Sequence, residues 1–334
     1  MHITRTDLIR IAHETADKAA LSDPGLVAAY LTGSLRTANP FLGNAADIDI
    51  VFVHEGEPKT RREIIPLTPE IHLDIVHNPR SLYDKPRELR LHPWLGPELY
   101  DPLPLYVTHH FFEYIQAGVR DRYHEPSNVQ LRSQRMLESA RQAWSRLPQL
   151  TMGQPVGPKE VLGYLESISL AANAVALLAG EPLAERRFLL QFPARARVAG
   201  QPDLAAALAG LIGADRVDGA ALAGYLPDWE QSFLASAGNQ NVDACIAPAR
   251  LGYYKLAFTS ILASENPQAI LWPLFRTWTL AVSALPAPGQ AHWRSACATL
   301  GLDGGSFASR LEALDHFLDD VDALQERLTA SKPL

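Results

Sequence analysis

Apolar positions in the first third of the chain fall mainly in short runs of strand length. Beyond about residue 150 they recur at helical spacing. The runs Leu26–Thr32, Asp47–Val53, Glu63–Leu67 and Ile71–His77 read as strands, and Leu105–Val107 reads as an edge strand. Ahead of them, Thr6–Ala20 has the pattern of an amphipathic helix, with Leu8, Ile9, Ile11 and Ala12 inward and Asp7, Arg10 and Glu14 outward. Ser22–Gly25 is a turn, and Leu82–Leu91, Phe111–Tyr123 and Asn128–Leu147 carry helical patterns. His92–Pro104 reads as a proline-rich crossing.

After the linker-like stretch T-M-G-Q-P-V-G-P, nearly everything is rich in Ala and Leu. Predicted helices there are Lys159–Leu178, Glu185–Val198, Asp203–Leu211, Gly219–Ala237, Arg250–Ala263, Pro267–Ala284 and Phe307–Thr329, punctuated by Pro and Gly. No fixed-period repeat is present, which argues against a solenoid. The predicted fold is therefore α+β: a small mixed β-sheet with flanking helices over 1–125, then an all-helical domain over 126–334.

Residues two apart in a strand share a face. Asp47 and Asp49 should therefore project together, with Ile48, Ile50 and Phe52 turned into a core. Along Ile71–His77 the alternation puts Leu73 and Ile75 on one face and His72, Asp74 and Val76 on the other. If that strand lies beside Asp47–Val53, Asp74 joins the two carboxylates. Adjacent carboxylates repel unless a cation lies between them, and hard oxygen ligands suit Mg²⁺ or Mn²⁺. The apolar run before them ends in Gly33-Ser34. An open loop, Thr37–Ala46, follows and contains two turn signals, Asn39-Pro40 and Gly43-Asn44.

Composition narrows the partners. An apolar content of 47% and a charged content of 20% are ordinary for a globular protein. The net charge of −7, most of it after about residue 150, argues against long nucleic acid. Cys245 and Cys297 lack CxxC spacing, so neither zinc nor a disulfide framework is expected, and a reducing, cytoplasmic setting fits. The N-terminus has no secretory apolar region, and no apolar run is expected to span a membrane. Walker A, GxGxxG and HExxH motifs are absent.

In order, Gly33-Ser34 after an apolar strand, Asp47-Ile48-Asp49-Ile50, and Leu73-Asp74-Ile75 resemble the nucleotidyltransferase superfamily. This is the polymerase-β-like fold that includes aminoglycoside nucleotidyltransferases. The resemblance covers roughly the first 80 residues. The G-N-A-A lead-in to Asp47 departs from the family's common small-residue-plus-Ser form, and the RRD-type signature of tRNA-tailing members is absent.

The resemblance implies a metal-dependent transfer of NMP, most simply AMP from ATP, to a hydroxyl of a small molecule such as an aminoglycoside, or of a protein. Asp47 and Asp49 would hold the Mg²⁺ or Mn²⁺ that escorts the triphosphate. Asp74 would help hold a second metal and could take the acceptor's proton. Gly33, Ser34 and Arg36 would bind phosphate oxygens. The alternative is a catalytically degenerate nucleotide-binding module acting as sensor, antitoxin or assembly partner.

Other features read as structural. His72 and His77 are expected as satisfied polar residues, and Lys59, Arg61 and Arg62 as a solvated turn. Arg186, Arg187, Arg195 and Arg197 read as a solvated helix face or one turned to phosphate or a partner. Tyr253, Tyr254, Trp272 and Trp278 read as helical core, while Glu160 and Glu166 are candidate bases from the helical half.

Overall fold

Thr4 starts the first helix. Its hydroxyl accepts from the Asp7 amide while the Asp7 carboxylate caps Thr4 in return, so Arg5–Ser22 begins with its end groups satisfied. Leu8, Ala12 and Ala16 form its fully buried stripe. The computed structural model of the chain describes residues 3–151, 156–239 and 243–330. Most of the linker-like stretch after Thr151 lies outside the described residues.

Five strands form one mixed sheet in the order β3-β4-β2-β1-β5. They are β1 (Leu26–Leu31), β2 (Ala46–His54), β3 (Arg62–Pro66), β4 (Ile71–Pro79) and β5 (Leu103–Val107). β2 and β4 are parallel and in register from Ala46↔Ile71 to His54↔Pro79, and the other pairs are antiparallel. A parallel pair needs a crossover, and here the edge strand β3 lies within it. β1 is buried along its whole length: β2 and β5 pair its two edges, and its side chains enter the cores on both faces of the sheet.

The strand alternation divides the core in two. Ile48, Ile50, Phe52, Leu73 and Ile75 face the Arg5–Ser22 helix. On the opposite face, Tyr30, Val51 and Val53 pack with Phe111, Phe112, Ile115 and Val119 of the Phe111–Arg120 helix. The region read as one helix over Leu82–Leu91 is instead a 3₁₀ turn, Arg80–Tyr83, and a single helical turn, Pro86–Leu89. Pro86 cannot donate a backbone hydrogen bond and restarts the chain. The proline-rich crossing contains a short helix of its own, Leu95–Tyr100.

The described residues group into two units. The first holds Met1–Asn128 together with Ala249–Ser260, and the second holds Val129–Pro248 and Ile261–Leu334. The second is helical, with a core of Trp229, Trp278 and Trp293 whose ring N–H groups all find hydroxyl acceptors. A helix absent from the sequence reading, Ala291–Leu300, carries Trp293. The helix Pro158–Ala179 is long and apolar enough to cross a membrane, which corrects the expectation that no run reaches that length. Two thirds of its apolar window (67%) is buried within the protein, and Val161, Leu165, Ile168 and Val175 are core residues. Arg186, read from sequence as a solvated face, is buried, and Arg195 donates to the Ala179 carbonyl at 3.0 Å.

Candidate functional site

The register of β2 and β4 puts Asp49 directly beside Asp74 and Asp47 beside His72. All four side chains belong to the face of the sheet that carries Val51 and Val76. The structure thus brings the three aspartates of the sequence reading onto neighbouring strands of one face. Asp47 and Asp74 are buried, and Asp49 is half-buried.

β1 leads directly into the glycine turn that holds Gly33, Ser34 and Arg36. Gly33–Arg36 is a 3₁₀ turn closed by the Thr37 amide donating to the Ser34 carbonyl at 2.9 Å. Arg5 fastens it from the first helix, its Nε donating to the Leu35 carbonyl at 2.7 Å. The Thr32 amide donates to the Asp49 carbonyl at 2.9 Å, so the turn lies against β2. Gly33 has φ +66°, a conformation costly for residues with a Cβ, and a Cβ there would lie 1.8 Å from Asp49 Oδ2. The Ser34 Oγ is buried and has no hydrogen-bond partner. Arg36 follows at the end of the turn, half-buried, and its charge acts on Glu98. The Thr37–Ala46 loop folds back through a Leu42↔Ala45 bridge, with Gly43 (φ +63°) and Asn44 (φ +62°) as the left-handed turn pair.

Three partners of the aspartates escaped the sequence reading. Arg62, at the start of β3, grips Asp74 with two hydrogen bonds, Nε to Oδ1 at 2.8 Å and Nη2 to Oδ2 at 2.6 Å. It lies on a strand rather than in a turn and, although exposed, is ion-paired. Arg250 donates to the same Asp74 Oδ2, and this pair is almost fully buried. Tyr253 donates its hydroxyl to Asp47 Oδ2 and meets the ring of His72 edge-on at 4.8 Å. Arg250 and Tyr253 sit where the Pro248–Arg250 turn passes into the helix Leu251–Leu262. Gly252 permits the close approach, since a Cβ there would meet the Pro69 carbonyl oxygen at 2.0 Å. No local sequence signal marks these contacts: Arg250 and Tyr253 lie 176 and 206 residues from their aspartates, and Arg62 meets Asp74 only through the pairing of β3 with β4.

A fourth carboxylate belongs to the same region. Asp49, Asp74, Arg62, Asn78 and Glu98 help line a pocket of about 290 Å³. Glu98, on the Leu95–Tyr100 helix, accepts from the Tyr30 hydroxyl at 2.5 Å. The Tyr30 and Tyr83 hydroxyls lie 3.0 Å apart, and Asn78 donates to the Tyr83 hydroxyl at 2.9 Å. Burial pushes the Glu98 carboxyl above its ordinary range; the Tyr30 hydrogen bond and the charge of Arg36 work against that rise.

The donor set answers the metal expectation in two parts. Asp47 and Asp49, two residues apart on one strand face, supply hard oxygens of the kind that take one divalent cation. Asp74, expected to help hold a second one, lies beside Asp49 with the guanidinium groups of Arg62 and Arg250 on its oxygens. Among the described residues, no group of three or more His, Cys, Asp or Glu side chains is disposed to hold a metal ion.

The remaining histidines lie apart from the aspartates. His54 links Asp23 (3.0 Å) to His77 (2.9 Å) at the far end of β2. Glu160, offered from sequence as a base, caps its own helix by accepting from the Gly157 amide at 2.9 Å. Cys245 and Cys297 are free and buried, and burial pushes the Cys245 thiol up to about 12.

No protein-family model matches the chain, and no curated protein matches it.

Proposed function

We propose that the first unit is a nucleotidyltransferase of the polymerase-β-like type. It would transfer NMP, most simply AMP, from a nucleoside triphosphate to a hydroxyl acceptor and release pyrophosphate. The observation that carries the reading is the Gly33–Asp49 apposition: a cradle that a single Cβ would fill, next to the unpartnered Ser34 Oγ. Backbone amides and a hydroxyl in a tight glycine turn suit phosphate oxygens, and a carboxylate beside them suits a phosphate-bound cation.

In this reading Gly33, Ser34 and Arg36 bind the triphosphate, and Asp47 and Asp49 hold a Mg²⁺ or Mn²⁺. That cation, when bound, neutralises charge on the triphosphate. Tyr253 fixes the Asp47 carboxylate through its hydroxyl. Arg62 and Arg250 fix Asp74, and Arg62 keeps a positive charge at the pocket where phosphate charge develops. The two free, buried cysteines agree with a cytoplasmic setting. The acceptor is a small molecule such as an aminoglycoside, or a protein, since the fold does not fix it.

Transfer of label from α-labelled ATP, GTP, CTP and UTP onto a panel of hydroxylated acceptors tests the proposal. Loss of all transfer in Asp47→Ala and Asp49→Ala, with folding retained, is the expected result. Unchanged transfer in those variants rejects it. The engagement of Asp74 by two arginines favours a second reading, a nucleotide-binding module without transfer. That module would show Mg²⁺-dependent thermal stabilisation by ATP and no label transfer to any acceptor.

A further inference from the structure

A hydroxyl nucleophile must lose its proton as it attacks, so the pocket needs a group to receive it. Four carboxylates are candidates, and their surroundings differ. Both Asp74 oxygens accept from Arg62, and one of them also from Arg250. Asp47 is buried and accepts from Tyr253. Asp49 packs against the Gly33 turn, on the phosphate side.

Glu98 differs from all three. It lines the same pocket, its residue is half-buried, and among the described residues its side chain makes one hydrogen bond, to Tyr30. A carboxylate has lone pairs for several donors, so that single bond fixes the carboxylate and leaves capacity for a proton. Tyr30 is itself held by Tyr83, and Tyr83 by Asn78, so the orientation of Glu98 is fixed by a chain of hydrogen bonds.

Resting on the nucleotidyltransferase reading, we propose that Glu98 is the general base that takes the acceptor's proton. The acceptor oxygen forms a bond to the α-phosphorus. The bond from that phosphorus to the bridging oxygen of pyrophosphate breaks, and pyrophosphate leaves with that electron pair. The hydroxyl proton passes to a carboxylate oxygen of Glu98. Water in the acceptor's place gives AMP and pyrophosphate by the same transfer. The charged and titratable groups that face Glu98 are Tyr30 on β1, Tyr83 behind it, Arg36 in the 3₁₀ turn, and Asp49, Asp74 and Arg62 across the pocket. Burial raises the Glu98 carboxyl, which moves a carboxylate base toward the pH at which it would work.

The test uses the full chain with ATP and Mg²⁺, following AMP and pyrophosphate formation with water as acceptor from pH 5 to about pH 9. ATP affinity is measured by calorimetry on the same samples. Glu98→Gln should lower kcat by about a hundredfold or more and flatten the acidic limb of the pH profile. Its ATP affinity should stay within about twofold of the parent, and Glu98→Asp should recover part of the rate. A retained rate and pH limb in Glu98→Gln overturns the assignment, and so does loss of ATP affinity, which would make Glu98 a nucleotide-binding group. ATP binding without turnover in the parent chain overturns the base and leaves the binding-module reading. A parent chain that does not bind ATP removes the proposed function itself.

Discussion

Arg250 and Asp74 form a buried ion pair across 176 positions of sequence. Both side chains are nearly inaccessible, at 4% and 3% exposure, so each needs the other to offset the cost of leaving water. Arg62 shares the load from β3 but is itself 40% exposed. Arg250→Met should therefore destabilise the first unit by about 3 kcal/mol, the low end for breaking a buried pair, because Arg62 still faces Asp74. Urea unfolding followed by circular dichroism measures it. The double variant Arg250→Met with Asp74→Asn should recover part of the loss, and strict additivity of the two changes would deny the coupling.

Gly33→Ala adds one carbon where Asp49 Oδ2 already lies, at a backbone angle that only glycine adopts without cost. The left-handed conformation alone should cost about 1–2 kcal/mol. Displacing Asp49 should also abolish Mg²⁺-dependent stabilisation by ATP. Thermal melts with and without ATP give both numbers, and an unaltered ATP shift would separate the turn from the nucleotide.

His77 gives the first unit a pH dependence. Burial lowers its folded pKa below the ordinary 6.5, even though Glu63 and Asp23 push the other way. Between the folded value and 6.5 the unfolded chain binds the extra proton and the folded chain does not. Stability from this residue is thus full above pH 6.5 and falls as the pH drops through that window toward the lower folded pKa. His77→Asn should flatten the decline in stability measured by urea melts from pH 7.5 to about pH 5.

In the helical unit, Trp278 is 1% exposed and its ring N–H donates to the Ser232 hydroxyl at 3.0 Å. Trp278→Ala should cost about 3–5 kcal/mol through the cavity, with Ser232 losing its donor as well. Trp278→Phe should cost less because it keeps most of the volume. Equal losses for the two would argue against packing as the cause.

Much of the sheet was legible in the chain. Alternation in D-I-D-I-V-F-V and I-H-L-D-I-V-H fixes which residues share a face, because side chains in a strand point alternately. The structure agrees on both strands and pairs them in parallel. Gly43-Asn44 announced a turn that needs two left-handed residues. The α+β class and the helical second half followed from the change of period near residue 150.

The surroundings of the aspartates were decided by tertiary structure alone. Asp47, Asp49 and Asp74 are visible as a pattern, since strand geometry acts over a few residues. Arg62, Glu98, Arg250 and Tyr253 are tied to them or to their pocket by contacts that no local rule anticipates. Sequence periodicity tells which way a side chain points from its own element, and not what another element brings to meet it. That second fact sets two arginines on Asp74 and puts Glu98 in the lining of the pocket.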